Sequence, residues 1–482
     1  MANLKSLAKD TAIYGMSSIV GRFLNYLLVP LYTHYMPKET GGYGVSVNLY
    51  AFTALALVLL TFGMETTFFR FANRGDHRPD TVFSTAFALV GGLTALFLAC
   101  VFGFIGPISQ GMGYGAHPEY LLIMAGVVAL DVLQALPFCY LRFQQRPIFF
   151  ASLKMLFIGL NIVLNCVYFI LLRKTEVYYI FIINLWCTAF ITLFFLPFLR
   201  NIRWQFSWPL LRQMLAYSWP ILVLGLAGIL NQTADKMLFP LVYPDETEGN
   251  VQLGIYGACV KIAMIMAMIT QAFRYAYEPI VFAKSKDGDK AQYYASAMKY
   301  FLIFTLLAFL CVVGYLPILQ HIIGPGYREG LKVVPIVMAA EIMMGVYFNL
   351  SFWYKLIDKT IYGAWFSLAG CAVLVAVNLW GIPRYGYMAC AWGGFAGYAT
   401  AMVLSYVMGQ RKNPIPYPLK SISVYVALTL GFYLVMQALP AEWPTGLRLG
   451  VHTLLIAAFV GHILAHDLPA GRLPLIGKYL RR

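Results

Sequence analysis

The sequence predicts an all-α membrane protein with about fourteen membrane-spanning helices, and two observations lead to this prediction. First, 60% of the 482 residues are apolar and only 11% are charged, whereas soluble domains average about 25% charged residues. The mean hydropathy of +0.71 therefore excludes an ordinary soluble enzyme. Second, the apolar residues form fourteen runs, most of them long enough for the roughly 20 residues that one bilayer crossing needs.

These runs follow one another with short connections between them. They cover residues 11–36, 43–71, 81–104, 119–141, 150–172, 178–199, 214–242, 253–283, 297–319, 331–354, 361–382, 387–409, 421–439 and 447–466. Several runs contain proline, which membrane helices tolerate when neighbours satisfy the freed backbone groups; examples are Pro30, Pro137, Pro220, Pro240 and Pro335. Because the first run is long and thirteen more follow it, we interpret it as a membrane helix rather than a cleaved signal peptide.

The distribution of basic residues orients the helices. If the runs alternate in direction, most of the 35 Lys and Arg fall on the side of the membrane that also holds both chain ends. Loops rich in Lys and Arg stay in the cytoplasm. We therefore predict that both termini are cytoplasmic, and topology explains the net charge of +15 without any nucleic-acid partner.

The connections between the runs leave little room for enzyme chemistry. The longest outer ones, near 105–118 and 243–252, are too short to fold by themselves, which disfavours a membrane glycosyltransferase or polymerase. No Gly-rich phosphate loop with Lys and Ser/Thr appears. The eight cysteines lie inside apolar runs without metal-ligand spacing. His462 and His466 lie beside Asp467 and could in principle bind a metal. Because they lie at a predicted helix end near the membrane interface, we disfavour a metal site there. We predict no catalytic residue, no cofactor and no metal site.

The first two runs and the seventh and eighth share a sequence pattern. Leu28-Val29-Pro30-Leu31 resembles Leu238-Phe239-Pro240-Leu241. The alignment also places Asn25 on Asp235 and, after a longer connection, Asn48 on Lys261 and Glu65 on Glu278. A repeat of six helices starts both copies on the same side, which is typical of parallel-repeat transporters. We predict an N-terminal lobe over 1–205, a C-terminal lobe over 206–410, and two further helices with a cytoplasmic tail over 411–482.

Charged residues inside the predicted helices cluster on these four runs. A charge at the centre of a membrane helix costs about 2.5–3.5 kcal/mol and normally faces a bundle interior or water. The first seven of the following nine belong to runs 1, 2, 7 and 8: Arg22, Glu65, Asp235, Lys236, Lys261, Arg274, Glu278, Asp131 and Glu341. This enrichment predicts a polar cavity lined by the four helices.

The residue types indicate what the cavity would bind. Arg and Lys suit an anionic group, because Arg presents a fork of donors and Lys a point charge. We predict that Arg22, Lys236, Lys261 and Arg274 supply these cations. Helical spacing adds the polar neighbours Asn25, Asn231 and Gln271. Glu65, Asp235 and Glu278 are predicted ion-coupling or salt-bridge residues. The alternative is that these charges are structural ion pairs, with Arg274–Glu278 the clearest candidate. Asp131 and Glu341 are predicted to be packing or lobe-stabilising groups.

These segments resemble a known family. Asp235-Lys236, Gly254-Ile255-Tyr256-Gly257, Lys261 and Glu278-Pro279, with Gly63-Met64-Glu65, Arg70 and Gly386-Tyr387, are similar to the oligosaccharide flippase (polysaccharide biosynthesis protein) family. That family belongs to the multidrug/oligosaccharidyl-lipid/polysaccharide exporter superfamily, and the resemblance covers nearly the whole chain.

The resemblance implies a transporter with two six-helix lobes and alternating access. Its substrate would be an undecaprenyl-pyrophosphate-linked oligosaccharide, which moves from the cytoplasmic to the outer leaflet of the bacterial inner membrane for polysaccharide or O-antigen assembly. The partners it implies are this lipid-linked substrate, membrane lipid, H⁺ or Na⁺ as a coupling ion, and glycan-assembly proteins; we expect a monomer. Three alternatives remain: a cation-coupled multidrug exporter, a lipid II flippase, and, from another class, a membrane glycan polymerase or ligase.

Overall fold

The computed structural model describes residues 27–283, 290–356, 359, 361–440 and 442–467, and the regular secondary structure in these ranges is entirely helical. The side chains at 275, 276, 278–283, 290 and 356 are not among those described. The α-helices, numbered in chain order, are α1 Leu28–Tyr35, α2 Gly42–Thr61, α3 Met64–Arg74, α4 Pro79–Gly103, α5 Ile105–Gly111, α6 Pro118–Phe143, α7 Pro147–Cys166, α8 Tyr178–Leu193, α9 Leu196–Arg200, α10 Trp208–Val242, α11 Glu246–Ala283, α12 Lys290–Gly314, α13 Leu316–Leu319, α14 Val334–Leu350, α15 Phe352–Leu356, α16 Ile361–Tyr385, α17 Tyr387–Lys412, α18 Leu419–Ala438 and α19 Thr445–His466.

The helix lengths confirm the predicted fold class. Within the described residues, 12 helical segments are long and apolar enough to cross a membrane. The first predicted run, 11–36, is described only from residue 27, where α1 follows. The twelfth, 387–409, corresponds to α17, which has 26 residues. The protein is therefore an all-α, multi-pass membrane protein, and the 12 candidate spans among its described residues are approximately consistent with the fourteen membrane-spanning helices that the apolar runs predicted.

Two predicted segments differ in detail from the structure. The run 43–71 is broken at Phe62 and Gly63, whose φ angles of 50° and 67° are left-handed and end one helix before the next begins. Glycine tolerates this conformation without a steric penalty, which explains the break at this sequence position. The predicted connection 105–118 contains a further short helix, α5.

The chain divides into two compact units. Among the described residues, the first unit contains 27–258 together with Gly324–Tyr327 and Val375–Cys390, and the second contains those described within Cys259–Ile323, Arg328–Leu374 and 391–467. The predicted boundaries at 205 and 410, which divide the chain by its six-helix sequence repeat, stay a prediction.

Each unit has its own apolar core. In the first unit α2 packs along α10, and α4 packs against α6. Met64, Phe68, Phe83 and Val132 are fully buried there. In the second unit α12 packs against α14, α18 and α19. The buried indole of Trp353 donates a hydrogen bond to the backbone carbonyl of Ser405 at 3.1 Å. Packing of this kind holds the helices that carry the charged residues.

Candidate functional site

The most deeply buried charged group of the predicted site is the Asp235 carboxylate on α10. Asp235 is 6% exposed. Its Oδ1 and Oδ2 accept hydrogen bonds from the Lys236 Nζ at 2.9 and 3.0 Å. Its Oδ2 also accepts the Tyr256 hydroxyl, from α11, at 2.8 Å. The carboxylate is thus held by a cation and a neutral donor from two helices, which satisfies a charge that would otherwise be costly to bury.

The hydrogen-bond acceptors of the Lys236 ammonium all belong to α10. Besides the two Asp235 oxygens, it donates to the backbone carbonyl of Gln232 at 2.9 Å. A lysine ammonium has three N–H donors, so each of them has an acceptor here. The Nζ atom also lies 5.6 Å from the centre of the Tyr256 ring. The predicted cation is therefore part of a neutral ion pair in this structure.

Two further polar side chains connect α10 to α2. The buried Asn48 donates from Nδ2 to the backbone carbonyl of Lys236 at 2.7 Å, and its Oδ1 accepts the Tyr114 hydroxyl at 2.8 Å. Burial raises the pKa of Tyr114, which keeps this hydroxyl protonated and able to donate. We call Asp235, Lys236, Tyr256, Asn48 and Tyr114 the Asp235 cluster.

Close packing of glycines brings α2 and α11 together beside this cluster. A Cβ atom on Gly44 would lie 1.8 Å from the backbone oxygen of Asn250, and one on Gly257 would lie 2.6 Å from Val47 Cγ2. Neither position can accept a side chain without movement of the helices. Gly44 and Gly257 therefore set the distance between the two helices that carry Asn48 and Tyr256.

Asn231 lies one turn before Asp235 and is also buried. Its Nδ2 donates to the backbone carbonyl of Ala227 at 2.9 Å, along its own helix. The structure thus places Asn231, Asp235 and Lys236 on the same part of α10.

Glu65 lies apart from the Asp235 cluster and is paired with a residue that the sequence did not single out. Its Oε2 lies 3.5 Å from Arg142 NH2, and the Cys139 thiol donates to the same oxygen at 3.4 Å. The Arg142 guanidinium also lies 5.1 Å from the Phe69 ring centre. Asp131 also has an electrostatic partner, Lys154, in the same unit.

The remaining predicted cations with described side chains belong to the second unit. The Arg274 guanidinium on α11 lies 5.0 Å from the centre of the Phe348 ring on α14. The two helices line a small pocket there, with Thr270, Arg274, Gly345 and Asn349 among its residues. The Thr270 hydroxyl is buried and has no hydrogen-bond partner among the described residues. Lys261 and Gln271 are half-buried on the same helix. The pocket brings a fork of donors and a hydroxyl together around a space of about 10 Å³, which has room for about one water molecule.

Three predicted site residues cannot be placed. Arg22 and Asn25 lie outside the described residues, and so does the Glu278 side chain. Among the residues that are described, no group of three or more His, Cys, Asp or Glu is arranged to hold a metal ion. The His462 and His466 rings stack at 4.3 Å, while the neighbouring Asp467 carboxylate accepts hydrogen bonds from Lys299 and Tyr425.

Comparison with known proteins identifies what this chain is similar to. The model of a family described as "Polysaccharide biosynthesis protein" matches residues 39–330. No curated protein matches the chain.

Several solved structures share the fold. A lipid II flippase MurJ in an inward closed conformation has a TM-score of 0.75 at 13% identity, over 94% of this chain and 98% of that one. An inward-facing multidrug resistance MATE family transporter of the MOP superfamily has a TM-score of 0.64 at 13% identity, over 84% and 96%. The MATE multidrug transporter DinF-BH, solved as a complex, has a TM-score of 0.59 at 18% identity, over 86% and 97%. At these identities the likeness shows the fold.

Proposed function

Because this chain belongs to the polysaccharide biosynthesis protein family, we propose that it is a flippase for an undecaprenyl-pyrophosphate-linked oligosaccharide. It would move this lipid from the cytoplasmic to the outer leaflet of the bacterial inner membrane by alternating access, with both termini in the cytoplasm. The chain is a multi-pass membrane protein with the fold of the superfamily's flippases and exporters.

The observation that carries the proposal is the buried Asp235–Lys236 pair within a membrane-spanning helix. Ionisable groups at membrane depth are costly to insert and generally mark a substrate or ion pathway. Replacing a buried ion pair by apolar residues is often neutral or stabilising, so stability alone is a weak reason to keep one. A pair in this position favours a role in moving a charged substrate.

The geometry of the pair favours Lys236 as the member that meets the substrate. Its side chain is 21% exposed, against 8% for that of Asp235. A diphosphate could therefore replace Asp235 as the acceptor of the ammonium protons, and the resulting charge-assisted bonds would be strong. Asp235 would keep the Tyr256 hydroxyl as a donor during this exchange. The resting site would remain neutral, and the cation would become available only when an anionic headgroup arrives.

Arg274 is proposed as a second contact for the phosphate groups. Its planar guanidinium can donate two parallel hydrogen bonds to a phosphate. The Thr270 hydroxyl in the same pocket has an unfilled hydrogen-bonding capacity among the described residues, which an oxyanion could use once the pocket widens from its volume of about 10 Å³. Arg22, Asn25, Lys261, Asn231 and Gln271 remain proposed lining residues.

We further propose that the acidic groups couple transport to an ion. When Lys236 turns to the substrate, Asp235 loses a counter-charge and becomes able to take up H⁺ or Na⁺. Glu65 is proposed to act as a salt-bridge residue with Arg142. Glu278 stays a candidate for coupling, and a Glu278→Gln variant with an unchanged dependence on the ion gradient would remove it from this role.

Transport assays with purified protein in liposomes test the proposed substrate. We expect movement of a polyprenyl-pyrophosphate oligosaccharide across the bilayer. Loss of a charged hydrogen bond is worth about 1.5–3 kcal/mol, so Lys236→Gln and Arg274→Gln should each slow transport about ten- to a hundredfold. Arg22→Ala tests the cation that we predict in the first apolar run. Arg411→Gln, at an exposed helix end, is the matched control for loss of one charge.

The same assay separates the alternatives. Movement of lipid II in preference to the oligosaccharide lipid would identify a lipid II flippase. Efflux of ethidium without movement of either lipid would identify a cation-coupled exporter. Normal transport in all three variants would contradict the site assignment, whatever the substrate.

A further inference from the structure

A large groove in the first unit lies outside the proposed transport site. It has a volume of about 820 Å³ and lies where α4 and α7 begin and where α6, α8 and α9 end. This volume is within the range of about 300–1,000 Å³ that ligand sites usually have. The groove is therefore large enough for a molecule of substantial size.

One side of the groove is an aromatic and aliphatic wall that is open to its surroundings. The wall is formed by Phe149, Phe190, Leu193 and Phe194. These side chains are 39–57% exposed, and they belong to helical segments that are long and apolar enough to cross a membrane. Exposed apolar side chains of such segments contact lipid chains, so this side of the groove favours an acyl chain as its occupant.

The other side of the groove is polar and basic. Gln144, Arg146 and Asn201 line it, and Arg146 is exposed. The exposed Arg200 and Arg203 flank the lining residues Asn201 and Ile202 in the chain. Asp80 is the single carboxylate among the groove's described lining residues, and it accepts the Tyr140 hydroxyl at 2.6 Å. We call this polar side of the groove the rim. Together with its flanking arginines, the rim has more positive than negative charge.

Backbone hydrogen bonds fix the shape of the polar rim. The turn from α6 to α7 is closed by bonds from the amides of Gln144, Gln145 and Arg146 to preceding carbonyls, at 2.9–3.1 Å. Side-chain hydrogen bonds tie the start of α4 to the segment that follows α9: Thr81 donates to Gln205 Oε1 at 3.0 Å, and Ser84 donates to the carbonyl of Arg203 at 3.4 Å. A preformed site loses little conformational entropy when it binds a ligand.

We propose that this groove binds an anionic glycerophospholipid of the surrounding bilayer. Its phosphate would be held at Arg146, with Gln144 and Asn201 as neutral donors, and one acyl chain would lie on the wall of Phe149, Phe190 and Phe194. Basic pockets between membrane helices bind anionic lipid headgroups in this way. Because the rim carries a cluster of arginines, this end of the helices is the cytoplasmic end by the positive-inside rule, and the lipid would come from the inner leaflet.

Native mass spectrometry of the purified full-length protein tests the proposal. The protein is titrated with phosphatidylglycerol and, separately, with phosphatidylcholine that carries the same acyl chains. Each arginine near an anionic headgroup is worth about 1 kcal/mol. We therefore expect tighter binding of phosphatidylglycerol, and about fivefold weaker binding after Arg146→Gln. Arg411→Gln should leave binding unchanged.

Two further measurements keep the test decisive. Asn201→Trp would fill the polar side of the groove, and we expect it to reduce the number of tightly bound phosphatidylglycerol molecules by one. Inorganic phosphate should compete poorly, because it lacks the acyl chain. Equal affinity of the wild-type protein for the two lipids would overturn the proposal without any variant. An effect of Arg411→Gln as large as that of Arg146→Gln, or displacement of the lipid by millimolar phosphate, would also overturn it.

Discussion

Two ion pairs of the first unit differ in how deeply their side chains are buried in the protein. The Asp235–Lys236 side chains are 8% and 21% exposed and meet at 2.9 Å. The Glu65 and Arg142 side chains are 45% and 37% exposed and meet at 3.5 Å. Breaking a buried pair leaves an uncompensated charge, whereas an exposed pair is replaced by other contacts at little cost. Of these two pairs, the Asp235 pair is the one held tightly enough for its exchange of partners to be a controlled step.

The largest expected effect comes from removal of the buried carboxylate. Asp235→Asn leaves the Lys236 ammonium without its counter-charge and should lower the free energy of unfolding by about 3–5 kcal/mol. Thermal or denaturant unfolding in detergent measures this. Adding Lys236→Gln to that variant should recover most of the loss, because the cluster is then neutral again. A single variant that is as stable as the wild type would show that the pair is not compensating a buried charge.

A smaller effect is expected when the carboxylate keeps its cation but loses its neutral donor. Tyr256→Phe removes the hydroxyl that lies 2.8 Å from Asp235 Oδ2. Hydrogen bonds to charged groups contribute about 1.5–3 kcal/mol, so we expect a loss of this size in the free energy of unfolding. Tyr179→Phe, at an exposed position in the same unit, is the matched control. Equal stability of the two variants would contradict the role of Tyr256 in the cluster.

The second unit offers a third ion pair with a defined pH dependence. Burial raises the pKa of the Asp467 carboxyl, but hydrogen bonds from Lys299 and Tyr425 and the Lys299 charge together lower it by more, so the net pKa lies below its ordinary value of 3.8. A depressed pKa contributes stability that is present above the unfolded value and is lost as the pH falls through the folded value. Asp467→Asn should lower the free energy of unfolding at neutral pH by about 1–2 kcal/mol.

The pH profile distinguishes this pair from a merely structural contact. In the wild-type protein the contribution of Asp467 should decrease below about pH 4, and the difference between wild type and Asp467→Asn should shrink there. A difference that stays constant between pH 7 and pH 3 would contradict the assignment.

The smallest effect is expected at the exposed pair. Glu65→Gln should change the free energy of unfolding by less than about 1 kcal/mol, because solvent and neighbouring groups replace much of the interaction. The same unfolding measurement as for Asp235→Asn provides the comparison. A loss as large as that of Asp235→Asn would mean that exposure does not distinguish the two pairs.

The sequence predicted the helices well because their apolar runs are long and nearly uninterrupted. The predicted run 81–104 corresponds to the helix Pro79–Gly103, for example. It failed to predict the break at Phe62, because run length alone does not show where the chain adopts a left-handed conformation. Gly63, inside the predicted run, was the signal that could have identified it.

The site was predicted less completely, for reasons of side-chain length. Helical spacing groups residues three and four apart, so it did not pair the neighbours Asp235 and Lys236. The flexible lysine stem nevertheless allows the ammonium to reach the adjacent carboxylate. Arg142 was missed in the same way, since its long side chain reaches back from a helix end to Glu65. The contacts of Tyr256 and Tyr114 were not predicted, because neither side chain is charged. The polar Asn48 in an apolar helix nevertheless indicated that hydrogen-bond partners were needed.

One measurement tests the central claim, that the Asp235 cluster holds a cation in reserve for a lipid diphosphate. The Asp235→Asn/Lys236→Gln double variant removes both charges while keeping the cluster neutral, so it should fold with nearly wild-type stability. In liposomes we predict that it moves polyprenyl-pyrophosphate oligosaccharide at least about tenfold more slowly than the wild type, by loss of a charged hydrogen bond. Transport at the wild-type rate by this stable variant would contradict the account.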